Sequence, residues 1–349
     1  MQNLKAIKSN LATLSHLARD VINNSKLALT KENIPGLAFA GIGLLGLSPI
    51  FKLAYDGLVS LLAAKSLKRI KAEYGASVKE GETSWVLVTG ATDGIGKAFC
   101  QTFASLGFNI ILISRTQERL DSVAEELRTL NPQIKTKTIA IDFSETFTKE
   151  GLSAAILPEI QDLDISILIN NVGVGKLFPS YEISYRQIYE YVNVNLYSQF
   201  WLTQLLMPKL IERAKTHKTG IINLSSMLGL EHQLPGLAHY SSTKACIDYF
   251  TKALANEYPN IDILSVRPGQ VKTKMNTRGT ATPEDHVKCV LRFLGSKKET
   301  VGNAKFAIEG TFVITNFNFI RRVIRKAMYR AYEENYKVQT MEELSLQFK

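Results

Sequence analysis

Tyr240 and Lys244 stand four residues apart in "YSSTK", a spacing that puts a phenol and an ammonium on one face of a helix. A phenol ordinarily holds its proton up to pH ~10. A neighbouring ammonium stabilises the phenolate and lowers that value, so the pair can pass a proton to a carbonyl oxygen near neutral pH. The spacing alone says little, because in a chain with 13 tyrosines roughly one such pair arises by chance. Upstream, "NLSS" ends in Ser226, whose hydroxyl can hydrogen-bond the same oxygen as charge develops on it. A second feature is "VLVTGATDGIGKAF", residues 86–99. Its glycines Gly90, Gly94 and Gly96 let backbone approach a bulky anion, and the N–H groups of a helix beginning there point at that anion. A tight strand-to-helix turn that holds nothing has the same spacing, so the surroundings must decide.

Those surroundings alternate strand and helix from Trp85 to about Gly295. The apolar runs are "WVLVT" (85–89), "FNIILIS" (108–114), "KTIAI" (137–141), "ISILIN" (165–170), "GIINLS" (220–225) and "IDILSV" (261–266). Continuous apolar runs of this length read as parallel strands buried on both faces. With amphipathic stretches between them, and Pro and Gly at the junctions, they predict an α/β fold: a doubly wound parallel sheet with helices on both faces. In such sheets ligands bind at the carboxyl ends of the strands. Four features fall there: the glycine turn after the first strand, Ser114 and Arg115 after the second, Asp142 after the third, and "NNVG" (170–173) after the fourth. An acidic residue ending the second strand would accept from the hydroxyls of an NAD ribose, whereas Arg115 favours the 2′-phosphate of NADP. A nicotinamide cation would further lower the Tyr240 phenol.

Composition narrows the classes. The chain has 349 residues, 45% hydrophobic and 21% charged, enough for a folded core, with a formal net charge of +10. No zinc-finger or other nucleic-acid motif accompanies that charge, so no nucleic-acid partner is expected. Cys100, Cys246 and Cys289 are odd in number and lack a CxxC, and the five histidines lack ligand spacing. Neither a disulfide framework nor a metal site is expected. Residues 1–33 form a polar basic segment. Residues 34–51, "IPGLAFAGIGLLGLSPIF", carry no charge and as a helix span about 27 Å, which predicts a membrane-embedded segment over 34–64. "KSLKRIK" (65–71) closes it with four basic residues. The catalytic domain is expected over 80–300, and 301–349 as an amphipathic basic tail that either covers the substrate pocket or lies at a lipid interface.

The ordered set TGATDGIG, NNVG, NVN, NLSS, YSSTK and RPG resembles the short-chain dehydrogenase/reductase family, over residues 85 to about 295. The resemblance implies a Rossmann-like sheet binding NADP(H). Gly90, Gly94 and Gly96, with Asp93 and Ile95 in the same turn, should lie against the pyrophosphate, and Ser114 and Arg115 at the adenosine ribose. Asp142 should reach the adenine amino group, and Asn170 and Gly173 should line the nicotinamide side. Tyr240 should be the proton donor with Ser226 its partner. Lys244 should bind the nicotinamide ribose and tune Tyr240, and Asn195 should support a water-linked proton relay behind Lys244. Pro268 and Gly269 should frame the nicotinamide, with Val271 in the same segment and Thr273 near the carboxamide. Ser226 and Tyr240 are 14 positions apart, one more than usual, which leaves Ser225 as the alternative partner.

The apolar N-terminal segment, "SRTQERL", "VKTKM" and the apolar-then-basic tail are similar to the membrane-bound very-long-chain 3-oxoacyl-CoA reductases, a subgroup that includes the type-12 17-beta-hydroxysteroid dehydrogenases. Members of that subgroup carry Asp in the glycine turn, as Asp93 stands here. The likeness implies an endoplasmic reticulum membrane enzyme with its catalytic domain facing the cytosol, reducing a lipid ketone, an acyl-CoA, in contact with membrane lipids and other fatty acid elongation enzymes. By analogy of fold it implies a homodimer. Lys176, Lys272, Lys274 and Arg278 would meet the CoA phosphates. Between Met275 and Pro283 the chain is shorter than the subgroup, in part of the substrate lid. A steroid ketone reductase, and a silent binding or scaffold protein, are the other readings; the intact Asn195, Ser226, Tyr240 and Lys244 set speaks against silence. Arg115→Asp is expected to swing cofactor preference from NADPH towards NADH. Equal kcat/KM of the unaltered protein for both cofactors would remove the role given to Arg115.

Overall fold

The apolar runs become parallel strands whose alternate side chains serve two helical layers. β1 (Trp85–Thr89), β2 (Asn109–Ser114), β3 (Thr136–Ala140), β4 (Ile165–Asn170), β5 (Gly220–Leu224) and β6 (Asp262–Val266) are joined by a short β7 (Glu299–Thr300) that the sequence reading did not include. The computed structural model describes residues 67–145, 149–176, 180–229, 236–277 and 279–302. The basic segment 1–33, the apolar segment 34–64, Arg278 and nearly all of the tail expected over 301–349 lie outside the described residues. Among the described residues, no helix is long and apolar enough to cross a membrane.

The sheet order is β3-β2-β1-β4-β5-β6-β7, every pair parallel. The chain builds outward from β1 in one direction, then returns to β4 and builds the other way. The switch point therefore lies between the carboxyl ends of β1 and β4, where such sheets bind ligands. Val86 and Val88 of β1 face one core with α2 (Gly94–Ser105), α3 (Gln117–Leu130) and α8 (Pro283–Leu291), while Trp85 and Leu87 face the other with α4 (Lys149–Ile160), α6 (Ser198–Ala214) and α7 (Ala238–Glu257). That two-sided burial is why the runs read as continuously apolar. Between β4 and α6 come α5 (Tyr185–Val192) and a π-helical turn, Asn193–Tyr197. Pro158 and Pro208 sit inside α4 and α6, not at junctions as expected. Around Pro208 the buried Leu202, Leu206 and Leu210 hold the helix across the missing N–H.

A helix also forms where the sequence read only a basic flank. α1 (Leu67–Tyr74) buries Ile70 and Tyr74 completely. Tyr74 Oη donates to Asp262 Oδ2 at 2.6 Å, Arg69 Nη2 to the Leu294 carbonyl at 2.7 Å and Lys71 Nζ to the Gly107 carbonyl at 2.6 Å. The following turn is held by Arg213, which pairs with buried Asp164 and donates to the Ala76 carbonyl at 2.7 Å. α1 thus belongs to the catalytic domain, whose start moves from residue 80 to at least Leu67. A chain beginning at Lys71 loses Ile70 from the core, at about 2–4 kcal/mol, and should melt well below one beginning at Lys65. Equal melting midpoints would mean that α1 contributes nothing to the domain.

Candidate active site

The first helix after β1 opens with Asp93 as N-cap, its carboxylate accepting from the Gly94 N–H at 2.7 Å. Burial alone would raise this carboxyl. The Lys274 hydrogen bond, the Gly94 N–H and the charges of Lys274 and Arg119 outweigh it and hold Asp93 below the ordinary carboxylate range. Lys274, expected at the pocket mouth, is instead paired with Asp93 at 2.8 Å; Arg119 approaches the same oxygen at 3.2 Å. A Cβ at Gly96 would sit 2.2 Å from the Gly90 carbonyl oxygen, and Gly90 itself has φ +65° with Asn171 and Val172 crowding it. The turn's own packing against the end of β4 therefore demands both glycines. The N–H groups of Ile95 and Gly96 still have no acceptor inside the helix, because the first internal bond is Lys97 N–H to the Asp93 carbonyl. An anion fits there.

Other expected cofactor residues ring this turn. Thr273 overhangs Gly94, so that a Cβ there would lie 2.9 Å from its Cγ2. The Pro268 carbonyl accepts from the Met227 N–H at 3.1 Å and the Gly269 carbonyl from the Val271 N–H at 2.9 Å, which curls the segment after β6 over the strand ends. Val271 is buried with Ala281 against Ile95 and Met227. Ser114 Oγ meets Thr92 Oγ1 at 3.1 Å, while Arg115 is exposed with no ion-pair partner among the described residues. Asp142 accepts the Ser144 N–H at 2.9 Å and so shapes the loop after β3.

Asn170 behaves differently from expectation. Its side chain is fully buried within the sheet layer and donates to Thr203 Oγ1 at 3.0 Å and Asn223 Oδ1 at 2.9 Å, so any lining of the nicotinamide is left to its backbone. The next residue braces the glycine turn instead, Asn171 Nδ2 donating to the Thr89 carbonyl at 2.9 Å. Spacing could not separate two adjacent asparagines.

The residues expected to handle the proton converge at the ends of β4 and β5. Lys244 is buried and donates through Nζ to the Leu224 carbonyl at 2.8 Å. With no carboxylate to offset burial, its ammonium is lowered to about 8. Ser225 Oγ donates to the Lys244 carbonyl at 2.7 Å, which turns it into the helix. Ser226 Oγ accepts the Leu228 N–H at 3.1 Å, and its hydroxyl lies near enough to Tyr240 to act on that phenol. Tyr240 is half-buried, with Lys244 Nζ 5.9 Å from its ring centroid. Its phenol is raised by burial, opposed by the nearby Ser226 hydroxyl. Burial therefore pushes Tyr240 opposite to the direction expected from its ammonium neighbour. Asn195, in the π-helical turn, accepts the Val174 N–H at 2.8 Å and donates to the Val174 carbonyl and Thr243 Oγ1, both at 3.0 Å. A Cβ at Gly173 would lie 3.2 Å from Lys244 Nζ and 3.4 Å from Asn195 Oδ1, so these groups share one small space.

Sequence reasoning missed Gly175, whose Cβ would meet the Tyr240 ring at 2.8 Å; the second glycine of "NNVGVG" was the available signal. It also missed Tyr191 and the buried Asp248–Arg267 pair, for which spacing gave no signal.

A family model described as short chain dehydrogenase matches residues 84–284. The chain belongs to the short-chain dehydrogenase/reductase family and is an oxidoreductase acting on CH–OH groups. It is similar to the very-long-chain 3-oxoacyl-CoA reductase-B of Danio rerio, 37% identical over 241 residues that cover 65% of this chain and 73% of that protein. In fold it is similar to a 7beta-hydroxysteroid dehydrogenase structure (TM-score 0.62, 24% identity, 72% of this chain and 99% of that one). It also resembles the L-sorbose reductase of Gluconobacter frateurii solved with NADPH and L-sorbose (TM-score 0.56, 23% identity, 66% of this chain and 98% of that one).

Lys244→Met should separate stability from activity. Between about pH 8 and the ordinary lysine value of 10.5, the unfolded chain holds a proton that folded Lys244 has released, so stability from this residue rises with pH across that window. Below it the full cost of the buried ammonium persists. The variant should therefore be more stable than the parent by about 1–3 kcal/mol at pH 7, with the difference fading towards pH 10.5, while turnover is lost. Urea midpoints at neutral and alkaline pH measure this; a destabilised variant at pH 7 would contradict it.

Proposed function

We propose that this enzyme is an NADPH-dependent lipid ketone reductase, converting a very-long-chain 3-oxoacyl-CoA to the 3-hydroxyacyl-CoA of fatty acid elongation. The observation that carries the reaction is the convergence of Tyr240 and Ser226 with buried Lys244 and Asn195 behind them, at the carboxyl ends of β4 and β5 near the glycine turn. The substrate class rests on similarity to proteins named very-long-chain 3-oxoacyl-CoA reductase. The endoplasmic reticulum membrane as its location, contact with elongation enzymes and a homodimer belong to the same proposal, supported by that similarity and by the apolar run at 34–51.

The cofactor, when bound, supplies a hydride to the carbonyl carbon. The Ile95 and Gly96 N–H groups would hold its pyrophosphate and exposed Arg115 its 2′-phosphate, with Thr273 and the Pro268–Gly269 segment covering the nicotinamide end. Tyr240 Oη gives its proton to the carbonyl oxygen, and Ser226 Oγ donates a hydrogen bond to that oxygen as it becomes negative. A phenol held up by burial arrives protonated, which suits reduction. The Lys244 charge then stabilises the phenolate left behind, and Asn195 fixes the backbone beside it. Exposed Lys176 and Lys272 remain as cations for the CoA phosphates.

Detergent-purified protein with NADPH should turn over a long-chain 3-oxoacyl-CoA in preference to an uncharged steroid ketone. Tyr240→Phe should drop kcat below roughly a tenth while leaving NADPH affinity within about twofold. Ser226→Ala should lower kcat far more than Ser225→Ala. Steroid turnover without acyl-CoA turnover would overturn the substrate, and an active Tyr240→Phe would overturn the proton donor.

A further inference from the structure

Tyr191 and Asn195 lie four residues apart on the run from α5 into the π-helical turn, and both reach one short segment. Asn195 bonds both backbone groups of Val174. Tyr191 Oη does the same at Lys176, accepting its N–H at 2.8 Å and donating to its carbonyl at 3.0 Å. Two side chains thus supply, at alternate residues, the pairing that a neighbouring strand would give. The residue between them faces the other way. There a Cβ on Gly175 would lie 2.8 Å from Tyr240 Cδ2 and 3.0 Å from Cε2, so the Gly175 backbone rests on the Tyr240 ring. Tyr191 is only 5% exposed, and its ring lies 6.4 Å from that of His239, the residue before Tyr240.

We propose that Tyr191 is a positioning residue for Tyr240: its hydroxyl closes the far end of a strap, Val174–Gly175–Lys176, whose middle residue sets the plane of the Tyr240 ring. The role rests on Tyr240 being the proton donor. Asn195 ties only the near end of the strap. Without the Tyr191 hydroxyl both backbone groups of Lys176 lose their partner, and Gly175 is free to lift from the ring. Proton transfer depends steeply on alignment, a misplacement of ~1 Å lowering the rate by up to ~100-fold, so a loosened strap should lower kcat by about 10-fold.

The test uses the full chain in detergent with NADPH and a long-chain 3-oxoacyl-CoA. Tyr191→Phe keeps the ring and removes the hydroxyl. It should lower kcat by about 10-fold, leave NADPH Kd and melting midpoint unchanged, and speed hydrogen exchange in the peptide covering 174–176. Gly175→Ala should lower kcat similarly by pushing the ring from its seat, and Tyr189→Phe, on the exposed side of the same helix, should change nothing. Tyr191→Phe retaining more than about half of kcat with unaltered exchange overturns the proposal. So does a parallel fall of kcat, cofactor affinity and melting midpoint, which would mark a purely structural residue, and so does a Gly175→Ala enzyme of normal kcat. Tyr240→Phe run alongside distinguishes the two levels. If it stays active, the proton-donor reading fails and takes the strap with it; if it is inactive while Tyr191→Phe is normal, only the strap fails.

Discussion

α7 has to carry a phenol and an ammonium to the ends of β4 and β5, and its inner face is therefore polar. Thr243, Lys244, Asp248 and Thr251 are all buried along it, beside Ile247, Leu254 and Ala255. Apolar burial cannot seat such a face; each polar group must find a partner or leave a costly orphan. The partners come from neighbouring elements. Thr243 accepts from Asn195, Lys244 donates to the end of β5, and Thr251 accepts from Asn223 Nδ2 at 3.0 Å. Asp248 accepts Ser265 Oγ at 2.6 Å and Arg267 at 2.8 and 3.0 Å. Burial alone would raise this carboxyl, but Arg267, Ser265 and Lys252 hold it low. These bonds have direction, so they fix the register of the helix on the sheet, which a greasy interface would leave free to slide.

The arrangement shifts the two titrating groups in opposite directions. Both are desolvated, which favours the neutral form of each: the phenol is raised and the ammonium lowered. A neutral phenol is an acid ready to donate. A lysine lowered to about 8 is still mostly charged at neutral pH, and its proton is held in place by the Leu224 carbonyl. In the proposed reaction, that destabilising buried charge stands where a negative phenoxide would otherwise be alone.

The glycine turn combines two requirements that are easily confused. Gly90 and Gly96 are demanded by contact with each other and with Asn171, whatever is bound. The anion-binding capacity resides in the N–H groups of Ile95 and Gly96, and it tolerates Asp93 beside it because Lys274 and Arg119 neutralise that carboxylate. Lys274 is thereby held at the glycine turn and, in the proposed reaction, is lost to the substrate end.

Strand positions, the parallel sheet and the polar strand ends were legible in the sequence, because two-sided burial forces continuous apolar runs and glycine marks close backbone approach. Tyr240, Lys244 and Ser226 stood out once their strings "YSSTK" and "NLSS" were seen to fall at the strand ends, while Asn195 in "NVN" came only from the family resemblance of the ordered motifs. Tertiary structure alone decided the rest. Ser225 and Ser226 are indistinguishable as neighbours until the Lys244 carbonyl draws one hydroxyl into the helix, and Asn170 and Asn171 until the sheet buries one and the turn takes the other. α1 was hidden because a few charged residues conceal the two side chains that bury it, Ile70 and Tyr74. Direction of a pKa shift depends on burial and on distances between elements far apart in the chain, and neither is written in residue order.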